Sequence, residues 1–304
     1  MNPLFKFILR LVSSPKIDIQ EDYQSMRRMQ RFFARNPQPR YRFLDEKIYT
    51  TEGNHEIPVR IFYPKEKRHN GAVLYVHGGG WVIGDIESYS RTCINLADSL
   101  GRIVYSVDYR LAPEAPYPAG LNDCLRVAEV LMTEIEGEEE RDWIFMGDSA
   151  GANLIAAVSL VLRDNGRTLP GKQVLIYPVT YWDHTEASPF ESIKTNGYEY
   201  GLTIKKIQEY MELYAPDMSI RKSPTISPLM ADNLSEQPDT LVITAEFDPL
   251  RDEGEMYGKA LEKAGNSVRI HRVLNAVHGF ITYPKFTEPV EETIKVIKEF
   301  LGQE

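Results

Sequence analysis

The sequence is poor in the residues that form covalent or metal cross-links. Its 304 residues include only two cysteines, Cys93 and Cys124, and both fall in predicted helices. Buried free thiols are therefore favoured over a disulfide. The cysteine and histidine residues nowhere show the spacing of a metal site. We expect no metal ion and no cofactor.

Long apolar runs are also missing. No stretch of about 18 apolar residues occurs, so the sequence predicts no membrane-spanning helix. The segment Met1–Val12 is largely apolar, but Lys6 and Arg10 interrupt it, and it lacks the cleavage site of a signal peptide. Its residues could form an amphipathic helix on a membrane, but packing against the protein's own surface is favoured. We expect a cytoplasmic protein without stable membrane insertion.

Positive charge is not in excess. The chain has 35 Lys and Arg residues against 44 Asp and Glu residues, which gives a formal net charge of −9. Binding to the phosphate backbone of a nucleic acid favours the opposite balance, so no nucleic-acid partner is expected. Hydrophobic residues at 42% and charged residues at 26% are usual for a globular protein. The length fits one α/β core with insertions, and a homodimer is left open.

The sequence does contain a regular alternation of strand and helix patterns. This alternation predicts βαβ units, and therefore an α/β fold with a mostly parallel eight-stranded sheet and helices on both faces. The first two strands are predicted to form an antiparallel hairpin that turns at Gly53-Asn54. The predicted strands are Phe43–Thr51, Ile57–Tyr63, Ala72–Val76, Arg102–Val107, Trp143–Met146, Gln173–Tyr177, Thr240–Ala245 and Val268–Val273.

Two segments depart from this alternation. Residues 1–40 precede every strand and show helical spacing over Asp18–Arg35. Residues 178–238 are rich in aromatic side chains, contain a predicted helix at Thr203–Tyr214, and are too long for a simple crossover. We expect a catalytic domain at 41–304, with the N-terminal segment and the 178–238 insertion forming a helical cap over the carboxyl edge of the sheet.

The most informative stretch is Gly147-Asp148-Ser149-Ala150-Gly151, a G-x-S-x-G motif between a predicted buried strand and a predicted buried helix. A serine on so tight a turn needs small neighbours, because larger side chains would collide with the returning backbone. Its hydroxyl then stands above the sheet at a helix N-terminus, where developing negative charge is favoured. The motif also arises by chance as a glycine-rich turn with a serine cap, but its context favours a nucleophile.

A serine nucleophile needs a base and an acid that orients the base, and both should follow later strands. Asp248 follows the seventh predicted strand, and Pro249 stiffens its loop. His278 lies between the last predicted strand and the last predicted helix, and an imidazole suits proton transfer near neutral pH. Glu246 and Asp252 are the alternative acids, and a simple turn residue remains an alternative role for Asp248.

The run His77-Gly78-Gly79-Gly80-Trp81 directly follows the strand Ala72–Val76. Successive glycines allow several backbone N–H groups to point towards one oxyanion, and the N–H of Ala150 adds a donor from the serine turn. A phosphate-binding loop would continue with Gly-Lys-Ser/Thr, which is absent, so a flexible loop is the other interpretation. His77 is expected to fix the loop by hydrogen bonds rather than to act as the base.

Together these motifs resemble the hormone-sensitive-lipase-like family of α/β-hydrolase esterases, over roughly residues 70–300. The motifs that carry the resemblance are HGGG at 77–80, DYRLAPE at 108–114, GDSAGANL at 147–154, DPLRDEG at 248–254 and HGF at 278–280. The resemblance implies an α/β-hydrolase fold and a serine carboxylesterase with an N-terminal cap. It also implies that Arg110 and Glu114 brace the loops around the site. The implied triad is Ser149, Asp248 and His278, with Gly78, Gly79 and Ala150 as oxyanion donors.

The aromatic cap predicts an enclosed pocket and a small-molecule acyl ester as substrate, with short acyl chains preferred over long triglycerides. An amidase or peptidase and an acyltransferase would use the same triad and remain alternatives. A non-catalytic ligand receptor is disfavoured because His278 is present. The candidate substrate-binding residues are Trp81, Phe32, Phe33, Tyr181, Tyr198 and Phe280.

Overall fold

The computed structural model describes residues 9–11, 13–14, 16–34, 41–50, 54–133 and 143–303. Parts of the predicted N-terminal cap and Gly53 of the predicted hairpin turn lie outside the described residues. No helix in these ranges is long and apolar enough to cross a bilayer.

An eight-stranded sheet forms the centre of the molecule, in the order β1-β2-β4-β3-β5-β6-β7-β8. β1 pairs antiparallel with β2, and β2 pairs antiparallel with β4. The other pairs are parallel, so the predicted mostly parallel sheet is confirmed. The strands are β1 (Phe43–Tyr49), β2 (Glu56–Phe62), β3 (Ala72–Val76), β4 (Ile103–Val107), β5 (Trp143–Asp148), β6 (Lys172–Ile176), β7 (Asp239–Phe247) and β8 (Val268–Val277).

The helices follow the strands along the chain as the sequence alternation predicts. The second helix shows both ends clearly: Asp85 caps it by accepting the N–H of Ser88 at 2.7 Å, and Gly101 ends it at a φ of 60°. The α-helices in the described ranges are α1 (Ile19–Ala34), α2 (Ile86–Leu100), α3 (Ala119–Thr133), α4 (Ala150–Asp164), α5 (Glu191–Asn196), α6 (Ile204–Tyr214), α7 (Arg251–Lys263) and α8 (Glu288–Phe300).

Helices cover both faces of the sheet because its central strands are buried along their whole length. Alternate residues point to opposite sides: Leu74 packs in the core beneath α3, α4 and α7, while Tyr75 packs in the core beneath α2 and α8. Cys93 and Cys124 are buried in α2 and α3 as free thiols, as expected. The carboxyl ends of the parallel strands therefore open onto one edge, where the predicted catalytic loops lie.

The described part of the N-terminal segment packs over this edge through Arg27 of α1. Its guanidinium donates to the carbonyl oxygens of Val82 at 2.7 Å and Ala112 at 2.8 Å, and it pairs with Glu114 at 2.8 Å. Helix α6 of the insertion approaches from the other side, where Tyr214 stacks on Trp81 with ring centroids 4.3 Å apart. These contacts place both segments where a cap would act, and the role itself stays a prediction.

Candidate active site

Ser149 lies on the turn between β5 and α4, with φ 53° and ψ −121°. A non-glycine residue in this region costs about 1–3 kcal/mol and persists only where its surroundings hold it. The N–H of Ser149 donates to the carbonyl oxygen of Ile176 at 2.8 Å. A Cβ on Gly151 would come within 2.0 Å of the carbonyl oxygen of Val76. The close approach of β3 therefore requires glycine there, and the motif forms the predicted tight turn.

The structure brings the three predicted side chains together, although Ser149 and His278 are 129 positions apart in sequence. Nε2 of His278 is 2.8 Å from the Ser149 hydroxyl, and Nδ1 is 2.8 Å from Oδ2 of Asp248. Oδ1 of Asp248 accepts the N–H of Leu250 at 2.9 Å, and this carboxylate is fully buried. This arrangement allows a proton to pass from the hydroxyl to the imidazole while the carboxylate fixes the ring.

The alternative acids are held elsewhere. Glu246 accepts the N–H of Asn275 at 2.7 Å. Asp252 accepts the N–H of Ser192 at 2.7 Å and the guanidinium of Arg251 at 2.8 Å. In the described ranges, Asp248 is the carboxylate hydrogen-bonded to the candidate base.

The glycine loop differs from the expectation at its first glycine. The N–H of Gly78 donates to Oδ1 of Asp148 at 2.8 Å, so it does not point to the serine. The prediction that Gly78 is an oxyanion donor is therefore wrong. The error arises because Asp148, the variable position of G-x-S-x-G, is itself a buried acceptor.

Gly79 and Gly80 line the cavity beside Ser149. A Cβ would come within 2.1 Å of the carbonyl oxygen of Ile83 on Gly79, and within 2.4 Å of the Tyr210 ring on Gly80. Their φ values of 113° and 60° also favour glycine. Ala150 is the first residue of helix α4. The backbone N–H groups of Gly79, Gly80 and Ala150 are therefore the candidate oxyanion donors.

His77 supports this loop rather than facing Ser149. Its fully buried ring stacks on Tyr109 with centroids 4.4 Å apart, and the hydroxyl of Tyr109 donates to the carbonyl oxygen of His77 at 3.0 Å. Nδ1 of His77 lies 2.7 Å from the carbonyl oxygen of Gly78. The predicted structural role therefore has a physical basis in packing as well as in hydrogen bonds.

Comparison with known proteins agrees with the fold. A family model described as the alpha/beta hydrolase fold matches residues 73–282. The chain is 38% identical over 243 residues to an arylesterase of Saccharolobus solfataricus, covering 78% of this chain and 77% of the arylesterase. The chain belongs to the α/β-hydrolase family.

Two further relatives match this α/β-hydrolase over nearly its whole length. Esterase LipI of Mycobacterium tuberculosis is 32% identical over 297 residues, which cover 94% of this chain and 91% of LipI. A hyperthermophilic esterase from the archaeon Pyrobaculum calidifontis superimposes with a TM-score of 0.83 at 33% identity, covering 98% of this chain and 97% of that chain. The predicted membership among hormone-sensitive-lipase-like esterases is confirmed.

A cavity of about 250 Å³ opens beside Ser149 and His278 in this α/β-hydrolase. Residues of α1 and of the 178–238 insertion supply much of its wall, and most of their side chains there are apolar or aromatic. The cavity-lining residues of these two segments are Met26, Gln30, Val179, Gly201, Leu202, Lys206, Ile207 and Tyr210.

Most of the predicted pocket residues lie outside this cavity. Trp81 lines it, but Phe32 and Phe33 are 64% and 73% exposed on the outer face of α1. Tyr198 is half-exposed, and Phe280 is fully buried. The predictions for both phenylalanines of α1, Tyr198 and Phe280 are therefore wrong.

Tyr181 is also absent from the cavity wall, since its ring packs against Phe190 at 5.1 Å and Trp182 at 5.8 Å between centroids. Its prediction as a pocket residue is wrong for that reason. Aromatic content alone does not tell which side of an insertion faces the site. The spacing of Met26 and Gln30 by one helical turn was the available signal for the inner face of α1.

The two residues implied to brace the loops do so through different partners. The backbone N–H and the guanidinium of Arg110 bond to the buried carboxylate of Asp123 at 2.7–2.9 Å. Glu114 pairs with Arg27 of α1. In the part of the chain that the structure describes, no group of three or more His, Cys, Asp or Glu residues is arranged to hold a metal ion.

Proposed function

We propose that this α/β-hydrolase is a serine carboxylesterase that hydrolyses short-chain acyl esters through an acyl-enzyme. The observation that carries the proposal is the imidazole of His278, which lies 2.8 Å from both the Ser149 hydroxyl and the Asp248 carboxylate. The relatives are an arylesterase, an esterase and a hyperthermophilic esterase. The enzyme class predicted from the sequence, a carboxylic ester hydrolase, is confirmed by this membership.

In the first half of the reaction, Ser149 Oγ attacks the ester carbonyl carbon while Nε2 of His278 takes the hydroxyl proton. The carbonyl oxygen becomes an oxyanion that the N–H groups of Gly79, Gly80 and Ala150 stabilise. The C–O bond to the alcohol then breaks, and the imidazolium returns its proton to the leaving alkoxide. The products are a free alcohol and an acyl-Ser149 ester.

In the second half, water takes the place of the alcohol. His278 removes a proton from the water as the oxygen attacks the acyl carbon, and the same amides stabilise the second oxyanion. The bond to Ser149 breaks, the proton passes to its Oγ, and the carboxylic acid leaves. Asp248 remains ionised throughout and stabilises the imidazolium of each step.

Short acyl chains are favoured by the size and enclosure of the cavity. Its volume of about 250 Å³ lies below the roughly 300–1,000 Å³ of pockets for larger ligands. Met26 of α1 and Ile207 and Tyr210 of α6 close it on the cap side. A long acyl chain would have to displace these side chains.

A panel of esters and matched amides tests the proposal, with acyl chains from acetyl to palmitoyl and Ser149→Ala as control. The highest kcat/KM is expected on short-chain esters, and Ser149→Ala should lose about 10⁶-fold in kcat. Faster turnover of amides would favour an amidase or peptidase. Faster product formation with an added alcohol than with water would favour an acyltransferase, and no turnover at all would favour a ligand receptor.

We also propose a cytoplasmic location and a small-molecule substrate rather than a nucleic acid. The net charge of −9 argues against a nucleic-acid partner, and the absence of a long apolar run supports the location. Fractionation of the source cells checks the location: the protein is expected with the cytoplasmic fraction, and recovery with membranes or the medium would contradict it.

A further inference from the structure

Asp148, which precedes the nucleophile, is a carboxylate with only 2% of its surface exposed. Burial of an ionised group is costly unless hydrogen bonds replace its water. Oδ1 accepts the Tyr75 hydroxyl and the Gly78 N–H, both at 2.8 Å. Oδ2 accepts the Tyr89 hydroxyl at 3.1 Å and the Tyr177 hydroxyl at 3.4 Å. Four donors therefore converge on this one side chain.

These donors come from separate parts of the fold. Tyr75 lies in β3, Gly78 in the loop that follows it, Tyr89 in α2, and Tyr177 directly after β6. Burial raises the pKa of Asp148 above its ordinary value, and the hydrogen bonds from Tyr75 and Gly78 act against that shift. The four hydrogen-bond donors therefore offset part of the free-energy cost of burying this carboxylate.

One of these donors also touches the loop of the base. The ring of Tyr177 lies 4.7 Å from the imidazole of His278 between centroids, and the Tyr177 hydroxyl accepts the N–H of Ile281 at 3.3 Å. Asp148 is therefore linked both to the glycine loop and, through Tyr177, to the loop that carries the candidate base.

The glycine loop is held in one orientation through its backbone, since its glycines have no side chains. Gly79 and Gly80 have positive φ values, which glycine adopts without the steric cost that other residues incur. On one side, the carbonyl oxygen of Gly79 accepts the N–H groups of Val82 and Ile83 at 3.1 and 2.9 Å. On the other side, Asp148 accepts the Gly78 N–H, and Nδ1 of His77 lies 2.7 Å from the Gly78 carbonyl oxygen.

We propose that Asp148 is a positioning residue that fixes the Gly78 peptide and thereby aims the amides of Gly79 and Gly80 at the oxyanion. The inference rests on the proposed esterase activity and deepens it. An amide that turns away from the oxyanion stabilises the transition state less, whereas the neutral ester binds almost as before. Loss of the acceptor at position 148 therefore lowers kcat more than it raises KM.

The test compares Asp148→Asn with Asp148→Leu. The Asn oxygen can still accept the Gly78 N–H while its NH₂ faces the tyrosine hydroxyls, which can accept. Leu has a similar shape and no acceptor. Leu is expected to lower kcat about 100-fold, in the range for loss of an oxyanion donor, with KM changed by about 3-fold or less. Asn is expected to restore most of this loss.

Gln173→Met is the matched control, because Gln173 is another fully buried polar side chain with two partners. It bonds to Thr240 at 2.8 Å and Ser159 at 3.2 Å, and it lies in β6 towards the edge opposite the site. Rates are normalised to the number of sites that a serine-directed phosphonate titrates. The control is expected to lose stability, but its kcat per titrated site should match that of the wild type.

Three kinetic results would overturn the inference while the esterase activity stands: an unchanged kcat in Asp148→Leu, an equal loss in Asp148→Asn, or an equal loss in Gln173→Met. Should Asp148→Leu not fold, Asp148→Ser makes the same test with an acceptor too short to reach Gly78. Hydrogen exchange of the Gly78 amide in the wild type needs no variant: slow exchange is expected, and fast exchange overturns the inference. Absence of Ser149-dependent ester hydrolysis in the wild type would instead refute the proposed function.

Discussion

The reactivity proposed for Ser149 depends on how a few side chains are held. Asp248 is buried and takes one hydrogen bond from Leu250 and one from His278, so both of its oxygens have fixed directions. The serine is held in a strained turn that its neighbours enforce. Neither the acid nor the nucleophile has to reorganise before reaction, which is what electrostatic preorganisation requires.

Replacement of the acid tests this arrangement. Asp248→Asn is expected to lower kcat by roughly 10⁴-fold, because the amide favours the wrong tautomer of His278. The measurement is kcat on a short-chain ester, with Asp252→Asn, in the first turn of the helix that follows the loop, as the matched control. Since Asp252 bonds to Ser192 and Arg251 instead, its variant should lose far less. The assignment fails if the two variants behave the other way round.

The roles of these side chains were predictable to different degrees. Ser149, Asp248 and His278 could be proposed because each follows a strand in a required chain order. The sequence could not show which of Gly78, Gly79 and Gly80 are oxyanion donors, because three successive glycines are indistinguishable in sequence. The answer depends on the hydrogen bond between Asp148 and the Gly78 N–H. That carboxylate looks like a variable position in the sequence and becomes informative only when its four donors are seen together.

Two helices, α1 and α6, decide how the site is enclosed. Arg27 of α1 reaches two carbonyl oxygens, those of Val82 and Ala112, and also pairs with Glu114. Its neighbour Arg28 bonds only to Ser25 among the described contacts. Gln30 and Arg31 of α1 add one polar contact each, with the N–H of Gly84 at 3.1 Å and with Asp85, but Arg27 makes the largest number of polar contacts between α1 and the loops around the site.

Arg27→Met is expected to destabilise the protein by about 1–3 kcal/mol, because it leaves carbonyl oxygens without their donor. KM for short-chain esters should rise as α1 loosens over the cavity. Thermal unfolding and steady-state kinetics measure the two effects. Arg28→Met is the control and should change both quantities little. Equal effects of the two variants would contradict the docking role of Arg27.

Tyr210 of α6 forms part of the wall that limits the cavity. Its ring lies where a Cβ on Gly80 would be, within 2.4 Å, and it lines the cavity beside Ser149. Tyr210→Ala is expected to move the maximum of kcat/KM towards longer acyl chains. The measurement is a chain-length series, with Tyr198→Ala as control because Tyr198 is half-exposed outside the cavity. An unchanged optimum in Tyr210→Ala would contradict the wall role.

The sequence predicted that these helices exist, but it did not predict which of their side chains face the cavity. Helical spacing over residues 18–35 predicted α1, but its aromatic pair Phe32 and Phe33 faces outwards. A polar side chain, Gln30, faces the cavity instead. Sequence patterns assign the apolar stripe of a helix to a core, whereas the side chains of α1 are divided between the core, the cavity and solvent.

As a unit, the molecule is organised by one sheet whose class follows from the alternation of strands and helices. The strand order could not be predicted in the same way. β4 lies between β2 and β3, and the spacing of apolar residues along the chain does not indicate which strands are neighbours. Ser149, Asp248 and His278 converge because each follows the carboxyl end of its own strand, and these strands lie in the parallel series from β5 to β8.

The two thiols offer a test of the fold's integrity. Burial raises the pKa of the Cys93 thiol to about 12 and also raises that of Cys124, so little reactive thiolate exists at neutral pH. A reducing agent is expected to leave the midpoint of thermal unfolding unchanged, and a thiol reagent should react only at the rate of unfolding. Rapid labelling of the native protein would contradict the packing around α2 and α3.

The most direct test of the account is the capture of the acyl-enzyme. Mixing with a short-chain activated ester, followed by rapid acid quench and peptide mass spectrometry, should find the acyl group on Ser149 at a time when alcohol release is already complete for one turnover. In Asp248→Asn the same adduct should form much more slowly. Turnover without an adduct, or an acyl group on a different residue, would contradict the proposed mechanism.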